Sequence, residues 1–206
     1  MVSLHGFRKA GHVACVSQST AEEVRQAHWI EDSRLSVIPN GVNEEYFDPV
    51  APAQRQWAED WLRQKGIASC PLLLHVGSTI ERKRIDVLLE AFAAARHELP
   101  DLQLLRVGGA FTPAQAALAD RLALAPVIHS FPFLDRTQLQ ALYSRASLVM
   151  QPSSYEGFGL PVAEAQASGA VVLASDIPVL REVGGDAAFF CPVGMISSWS
   201  RQIVDL

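Results

Sequence analysis

Short apolar runs alternate with longer amphipathic stretches along most of the chain from residue 71 onward. The runs are rich in aliphatic and β-branched residues and are too short for buried helices, so they predict buried strands. We predict strands at 72–76, 102–107, 127–129, 148–150, 171–174 and 188–190. Strands that alternate with helical patterns in this way predict an α/β fold with one doubly wound, Rossmann-like parallel sheet.

The stretches between these strands carry apolar residues at helical spacing. The helix after the first strand has one apolar face, formed by Ile85, Leu88, Leu89, Phe92 and Leu99. Further helices are predicted at 113–124, 136–145, 161–168 and 178–183, and three of these four begin at or near a proline or a polar cap. These helices would connect the parallel strands as crossovers.

The first fifty residues follow a shorter version of the same pattern. Strands are predicted at 12–17 and 35–39 around a helix at 20–28, and a polar helix with tryptophans is predicted at 54–65. Two parallel strands alone leave both sheet edges unpaired. We therefore interpret residues 1–48 as the C-terminal remnant of a second α/β domain, residues 49–70 as a linker and helix, and residues 71–206 as the main domain.

Composition narrows the class of protein. With 49% hydrophobic residues in 206, the chain can form a sizeable core. Its net charge of −5 provides no global positive field for a nucleic acid or an anionic membrane. Three widely spaced cysteines indicate a reducing compartment. No apolar run reaches membrane-spanning length, so we expect a cytoplasmic protein, with docking at the cytoplasmic membrane face left open.

A glycine-bearing loop at 152–164 follows a predicted strand and opens a helix. In a parallel sheet this junction lies at the carboxyl ends of the strands, where ligands bind. Gly157 and Gly159 allow close backbone approach. The N–H groups near Phe158, Gly159 and Leu160 would meet an anion at the positive end of the helix dipole, so the loop suits a phosphate group.

Two acids flank these glycines and need a separate explanation, because carboxylates repel phosphate. Glu164 lies about one turn inside the predicted helix, where it can accept hydrogen bonds from a ribose diol. Glu156 precedes the glycines and can accept hydrogen bonds from sugar hydroxyls beyond the phosphate. The alternative is a glycine-bearing loop with one solvated acid and one acid on the helix surface.

A basic turn follows the first strand of the main domain, at 76–84. Its cations precede a helix N-terminus, where they oppose the helix dipole unless an anion lies among them. Arg82 or Lys83 can neutralise a diphosphate that Gly77 lets approach the backbone, and Ser78 beside it is a further candidate for binding. The alternative is a solvated basic turn that is partly offset by neighbouring acids.

Other signals are weaker. The sequence contains no GxGxxG, Walker A, HExxH or GxSxG motif, which leaves nicotinamide, ATPase, zinc-protease and serine-hydrolase functions without support. No metal site is predicted, and His75 and His129 are expected to be core or supporting groups. Phe131 and Phe133 could cover a nucleobase, although core packing is the favoured interpretation for each.

Taken together, these motifs resemble the retaining GT-B glycosyltransferases, a family that includes bacterial mannosyl- and glucosyltransferases and sucrose and starch synthases. The resemblance spans nearly the whole chain, and its most specific part is the Glu-x7-Glu motif of Glu156 and Glu164. The other residues on which the resemblance rests are Val16-Ser17, Val37 to Val42 with Phe47 and Pro49, Val76-Gly77, Arg82-Lys83, Leu142-Tyr143, Gly157 to Pro161, Gly169, Val171, Glu182 and Ala187-Ala188.

By this resemblance, Glu164 holds the ribose hydroxyls, Glu156 contacts the donor sugar, and Lys83 with Arg82 stabilises the departing diphosphate. The amides after Gly157 complete the phosphate site. The implied reaction transfers a glycosyl group with retained configuration from a nucleoside-diphosphate sugar, with UDP or GDP favoured, and without an obligatory metal or other cofactor. The acceptor would be a sugar, a lipid-linked sugar or a polysaccharide.

The chain departs from the family pattern in three ways. Most of the acceptor-binding domain is missing, so the fragment is expected to lack transferase activity alone. Ser78 replaces an arginine that usually follows the Val-Gly turn. The chain also ends soon after Val193, before the family's closing helices. Two alternatives stay open: a non-enzymatic nucleotide-sugar sensor or scaffold that pairs with an acceptor-domain subunit, and a GT-B epimerase or phosphorylase relative.

Overall fold

A computed structural model of the chain describes residues 4–206, apart from the side chains of Leu4, His5 and Arg8. Residues 1–3 of the predicted first domain therefore lie outside the described residues. The strands are β1 (Val13–Cys15), β2 (Leu35–Val37), β3 (Leu72–Val76), β4 (Gln103–Val107), β5 (Ile128–Phe131), β6 (Leu148–Gln151), β7 (Val172–Ser175) and β8 (Ala188–Cys191).

The helices alternate with these strands. They are α1 (Leu4–Lys9), α2 (Gln18–Gln26), α3 (Pro52–Gln64), α4 (Ile85–Ala95), α5 (Pro113–Arg121), α6 (Arg136–Arg145), α7 (Leu160–Ala167), α8 (Pro178–Gly184) and α9 (Ile196–Asp205). Each helix predicted from the sequence is present, with its ends shifted by a few residues at most. In the described part of the chain, no helix is long and apolar enough to cross a membrane.

Six parallel strands form the main sheet, in the order β5-β4-β3-β6-β7-β8. Helices cover both of its faces: α3, α6, α7 and α8 pack on one side and α4, α5 and α9 on the other. Alternate residues of β3 enter the two cores, since Leu72 and Leu74 belong to one and Leu73 to the other. The predicted doubly wound parallel sheet is confirmed.

The N-terminal unit, which consists of β1, α2 and β2, forms a separate parallel pair with Ala14 opposite Ser36. Its small core contains Cys15, Ala21 and Val24. A short 3₁₀ helix at Glu44–Tyr46 follows β2 and packs against α6. The Gln140 side-chain amide of α6 donates to the backbone carbonyls of Glu45 and Asp48, at 2.5 and 2.8 Å, and so holds the linker to the main domain.

The C-terminal segment contains a helix, α9, that was not among the helices predicted from the sequence. Its apolar face is formed by Ile196, Trp199, Ile203 and Val204. Trp199 is fully buried against α4 and its indole Nε1 donates to the Pro192 carbonyl at 3.0 Å. The helix therefore closes the second core of the sheet.

Candidate functional site

The candidate site lies at the carboxyl ends of β3, β4 and β6. These three strands are adjacent and parallel, so the loops that follow them meet at one edge of the sheet. The loop after β3 carries the basic turn, and the loop after β6 carries the glycines and Glu156. The fold thus brings together two segments that are about seventy residues apart in the sequence.

Glu156 is ion-paired with both cations of the basic turn. Its carboxylate accepts from Lys83 Nζ and from an Arg82 guanidinium nitrogen, each at 2.5 Å. Lys83 and Glu156 are 7% and 6% exposed, whereas 40% of the Arg82 side chain is exposed. Arg82 therefore presents a cation to solvent, and Lys83 is held beneath it.

Two further polar groups fix the Glu156 carboxylate, and the sequence analysis missed both. Ser153 Oγ donates to Glu156 Oε1 at 2.8 Å and Gln151 Nε2 donates at 3.0 Å. Burial by itself would raise the pKa of Glu156, but the hydrogen bonds and charges of Lys83 and Arg82 more than offset it and hold the pKa below its ordinary value. Glu156 is therefore an anion that balances the basic turn.

This ion pair makes the stability of the protein pH-dependent. A glutamate with a lowered pKa contributes stability that is present above the unfolded-state pKa and is lost as pH falls through the folded-state value. We expect wild type to be more stable than Glu156→Gln at neutral pH, and this difference to shrink once pH drops below the ordinary value of 4.5. Urea denaturation of both proteins between neutral pH and about pH 3.5 measures the difference. A difference that stays constant through this range would contradict the ion-pair assignment.

The start of α7 provides unpaired backbone donors beside this cluster. Gly159 caps the helix with φ +102°, and a Cβ at this position would lie 2.6 Å from Leu180 Cδ2. Within residues 4–206, the N–H groups of Phe158, Gly159 and Leu160 donate no hydrogen bond. These are the amides that the sequence analysis assigned to a phosphate, and they lie at the positive end of the α7 dipole.

Glu164 lies on the next turn of α7 and is held by an aromatic partner. Tyr143 of α6 donates its hydroxyl to Glu164 Oε2 at 3.1 Å, and within the described chain the other carboxylate oxygen accepts no hydrogen bond. Burial raises the pKa of Glu164 above its ordinary value, against the lowering effect of the Tyr143 hydrogen bond. One oxygen of this carboxylate is thus oriented by Tyr143.

The remaining predicted residues separate into core and surface. His75 is fully buried, and its burial and the charges of Arg106 and Lys83 lower its pKa to about 3, so it is neutral. His129 contacts the Gln103 side-chain oxygen at 3.1 Å. Phe131 packs on Trp61 with ring centroids 4.5 Å apart, as core packing predicts. Phe133 is 81% exposed, so the favoured core interpretation is wrong for this residue.

A cleft of about 710 Å³ opens beside the exposed side of Arg82. It is bordered by Arg84 from the start of α4, by Gln115 from the start of α5, and by Ser154. Lys83, Glu156 and Glu164 do not line it. The cleft therefore adjoins the Glu156 cluster through Arg82, and no residue of α7 lines it.

The N-terminal unit contacts the glycine loop directly, which the sequence did not predict. The hydroxyls of Ser17 and Thr20 donate to the Gly157 carbonyl, at 2.9 and 3.1 Å. The Tyr155 hydroxyl donates to Glu23 at 2.9 Å. Residues on both sides of Glu156 are thus held by α2 and the residue that caps it.

Comparisons with known proteins place these features in context. Residues 58–206 match the family described as glycosyl transferases group 1, and residues 2–46 match glycosyltransferase family 4. The chain is 33% identical over 190 residues to a D-inositol 3-phosphate glycosyltransferase of Nocardiopsis dassonvillei, which covers 87% of this chain and 43% of that protein. It is 32% identical over 198 residues to the serotype-specific mannosyltransferase WbdA of Escherichia coli, covering 93% of this chain and 24% of that protein.

Solved structures share the fold. Anabaena Alr3699/HepE, solved in complex with UDP and glucose, superposes with a TM-score of 0.84 at 21% identity and covers 98% of this chain and 57% of that one. A glycosyltransferase from Rickettsia africae superposes with a TM-score of 0.82 at 23% identity, over 97% of this chain and 55% of that one. The chain thus spans less than two thirds of the length of these proteins.

Proposed function

Since this chain belongs to the glycosyl transferases group 1 family, we propose that its main domain binds the nucleoside-diphosphate sugar donor of a retaining glycosyltransferase. The observation that carries the proposal is the contact between the basic turn and Glu156, next to the unpaired amides that start α7. Cations and backbone N–H groups that converge at strand tips form a site for a diphosphate. UDP or GDP is the favoured nucleotide, and the complexes of HepE with UDP support this choice.

In this proposal each part of the donor meets one group of residues. The diphosphate lies between Lys83, Arg82 and the amides of residues 158–160. The ribose hydroxyls bind the free oxygen of Glu164, whose other oxygen is fixed by Tyr143. Glu156 accepts hydrogen bonds from the sugar while it keeps the basic turn in place.

The proposed transfer proceeds with retained configuration. The bond between the anomeric carbon and the β-phosphate oxygen breaks, and an acceptor hydroxyl forms the new bond on the same side of the sugar. Its proton passes to the departing phosphate oxygen. Lys83 and Arg82 stabilise the charge that develops on the diphosphate, which is the main electrostatic contribution of this half of the enzyme. The acceptor is a sugar, a lipid-linked sugar or a polysaccharide.

We further propose that these 206 residues bind the donor but do not transfer its sugar alone. Transfer needs an acceptor-binding part, carried on the same polypeptide or on a partner subunit. The contacts of Ser17 and Thr20 with Gly157 support such a two-part site, because they couple the N-terminal unit to the donor loop.

The ribose role of Glu164 gives a direct test. Glu164→Ala should lower the affinity for UDP or GDP by roughly tenfold, since it removes a charged hydrogen-bond acceptor. The affinity for inorganic diphosphate should change by less than about twofold. Isothermal titration of both ligands measures the two effects, with Glu98→Ala, an exposed acid near the end of α4, as control. Equal losses for both ligands would contradict the ribose role. No binding of UDP, GDP or ADP to folded wild type at millimolar concentration would refute the proposed function itself.

A further inference from the structure

Arg106 on β4 is a buried cation without a carboxylate partner in the part of the chain that the structure describes. It is 1% exposed and is the register partner of His75 on β3. Its guanidinium donates to two backbone carbonyls, those of Gly109 and of Gly77, the latter at 3.1 Å. Its Nε has no partner among the described residues. A buried charge of this kind is unfavourable unless nearby groups compensate for it.

The two carbonyls belong to the turns that end β3 and β4. Gly77 donates its N–H to the Val107 carbonyl at 2.9 Å. A Cβ at Gly108 would lie only 2.0 Å from the Gly77 oxygen, and Gly108 has φ +145°, so no other residue fits there without displacing the turn. The Gly77 carbonyl is therefore directed inward, toward β4 and Arg106.

This direction determines where the next amide points. In a trans peptide the C=O of one residue and the N–H of the next lie on opposite sides of the chain, and no described peptide bond is cis. With the Gly77 carbonyl held inward by Arg106, the Ser78 N–H points away from β4. This N–H donates no hydrogen bond within residues 4–206. It is a fixed, unpaired donor in the turn that leads to Lys83.

From this geometry we infer that Arg106 is a positioning residue for the donor diphosphate. It holds the Gly77–Ser78 peptide so that the Ser78 N–H donates to a phosphate oxygen, and its buried charge adds to the positive potential at the strand tips. The inference rests on the proposed function, because it requires that a nucleoside diphosphate binds at this edge of the sheet. Arg106 itself does not touch the ligand.

The test compares ligands with and without phosphates. Arg106→Met removes the cation and both hydrogen bonds, and Arg106→Lys keeps the charge but cannot bridge the two carbonyls. The control is Arg96→Met, because Arg96 also donates to a backbone carbonyl, that of Leu102, at the opposite end of β4. Titrations use the nucleoside diphosphate that wild type binds, its monophosphate and its nucleoside. Amide NMR of ¹⁵N-labelled protein follows Ser78.

We expect Arg106→Met to lower the affinity for the nucleoside diphosphate by about tenfold or more. The affinity for the monophosphate should fall less, and the affinity for the nucleoside by less than twofold. The diphosphate affinity of Arg106→Lys should lie between those of Arg106→Met and wild type, and Arg96→Met should bind the diphosphate like wild type. The Ser78 amide resonance of wild type should shift on adding the diphosphate and not the nucleoside. This shift tests the inference even if Arg106→Met does not fold.

Two results would overturn the inference. Equal losses for diphosphate and nucleoside would show a purely structural role, and a Ser78 amide that does not respond to the diphosphate would exclude the proposed hydrogen bond. Normal diphosphate binding by Arg106→Met refutes this inference alone. Failure of wild type to bind any nucleoside diphosphate instead refutes the proposed function, and the inference with it.

Discussion

Replacing Lys83 by methionine is expected to weaken nucleoside diphosphate binding by about 100-fold, or roughly 3 kcal/mol, the upper range for one charged hydrogen bond. Lys83 is the buried cation of the basic turn and is paired with Glu156 at 2.5 Å. Without it, Glu156 keeps Arg82 as its one cationic partner among the described residues, so its negative charge opposes the incoming diphosphate. Isothermal titration of UDP and GDP measures the loss.

The control for this experiment is Lys65→Met, which removes an exposed lysine just after α3 and should bind the diphosphate like wild type. Circular dichroism checks that Lys83→Met remains folded. Because the variant removes one partner of a buried ion pair, a loss of about 3 kcal/mol in the free energy of unfolding is expected beside the binding defect. An unchanged dissociation constant in folded Lys83→Met would contradict the assignment of Lys83 to the diphosphate.

Trp199→Ala should lower the free energy of unfolding by about 4 kcal/mol, within the range for truncating a buried aromatic residue. Trp199 is fully buried against α4, and its indole satisfies the Pro192 carbonyl at 3.0 Å. The substitution leaves a cavity in the second core and removes this hydrogen bond. Urea denaturation followed by circular dichroism gives the difference.

Leu206→Ala, just beyond the end of the same helix, is the matched control. Leu206 is 46% exposed, so its loss should change the free energy of unfolding by less than about 1 kcal/mol. If Trp199→Ala lowered the free energy of unfolding as little as Leu206→Ala, α9 would not contribute to the core in the way that the structure indicates.

The sequence predicted the main sheet well because its strands are buried on both faces. A strand such as Leu72–Val76 is apolar at four of its five positions, with His75 as the exception, and this pattern differs from the amphipathic helices around it. Strand ends were less accurate. Pro126 lies within a 3₁₀ turn at Ala125–Val127, so β5 starts one residue later than predicted and extends to Phe131.

Helix α9 was missed for a different physical reason. Four of its ten residues are apolar and lie on one helical face, but its first turn contains no acidic residue or side-chain cap that would mark the start. The packing of Trp199 against α4 stabilises this helix, and this contact between distant segments could not be read from the sequence. Phe133 was mispredicted in the opposite sense. Core packing was favoured for this aromatic residue after a strand, but it lies exposed.

The candidate site was predictable as a set of residues but not as an arrangement. The sequence singled out Arg82, Lys83 and Glu156, and the structure brings these three into contact. Their ion pairs join loops after β3 and β6, strands that are neighbours only through the crossover topology of the sheet. No sequence pattern indicated that Ser17 or Arg106 contacts these loops, because both contacts depend on how distant segments pack.

In the proposed site, one nucleoside diphosphate spans the distance from the basic turn to α7. The most direct test is a crystal structure of the protein with the nucleoside diphosphate that it binds in titration. We predict that phosphate oxygens lie within hydrogen-bond distance of Lys83 and of the amides of residues 158–160, with the ribose hydroxyls on Glu164. A nucleotide bound elsewhere, or a ribose with no contact to Glu164, would contradict the account.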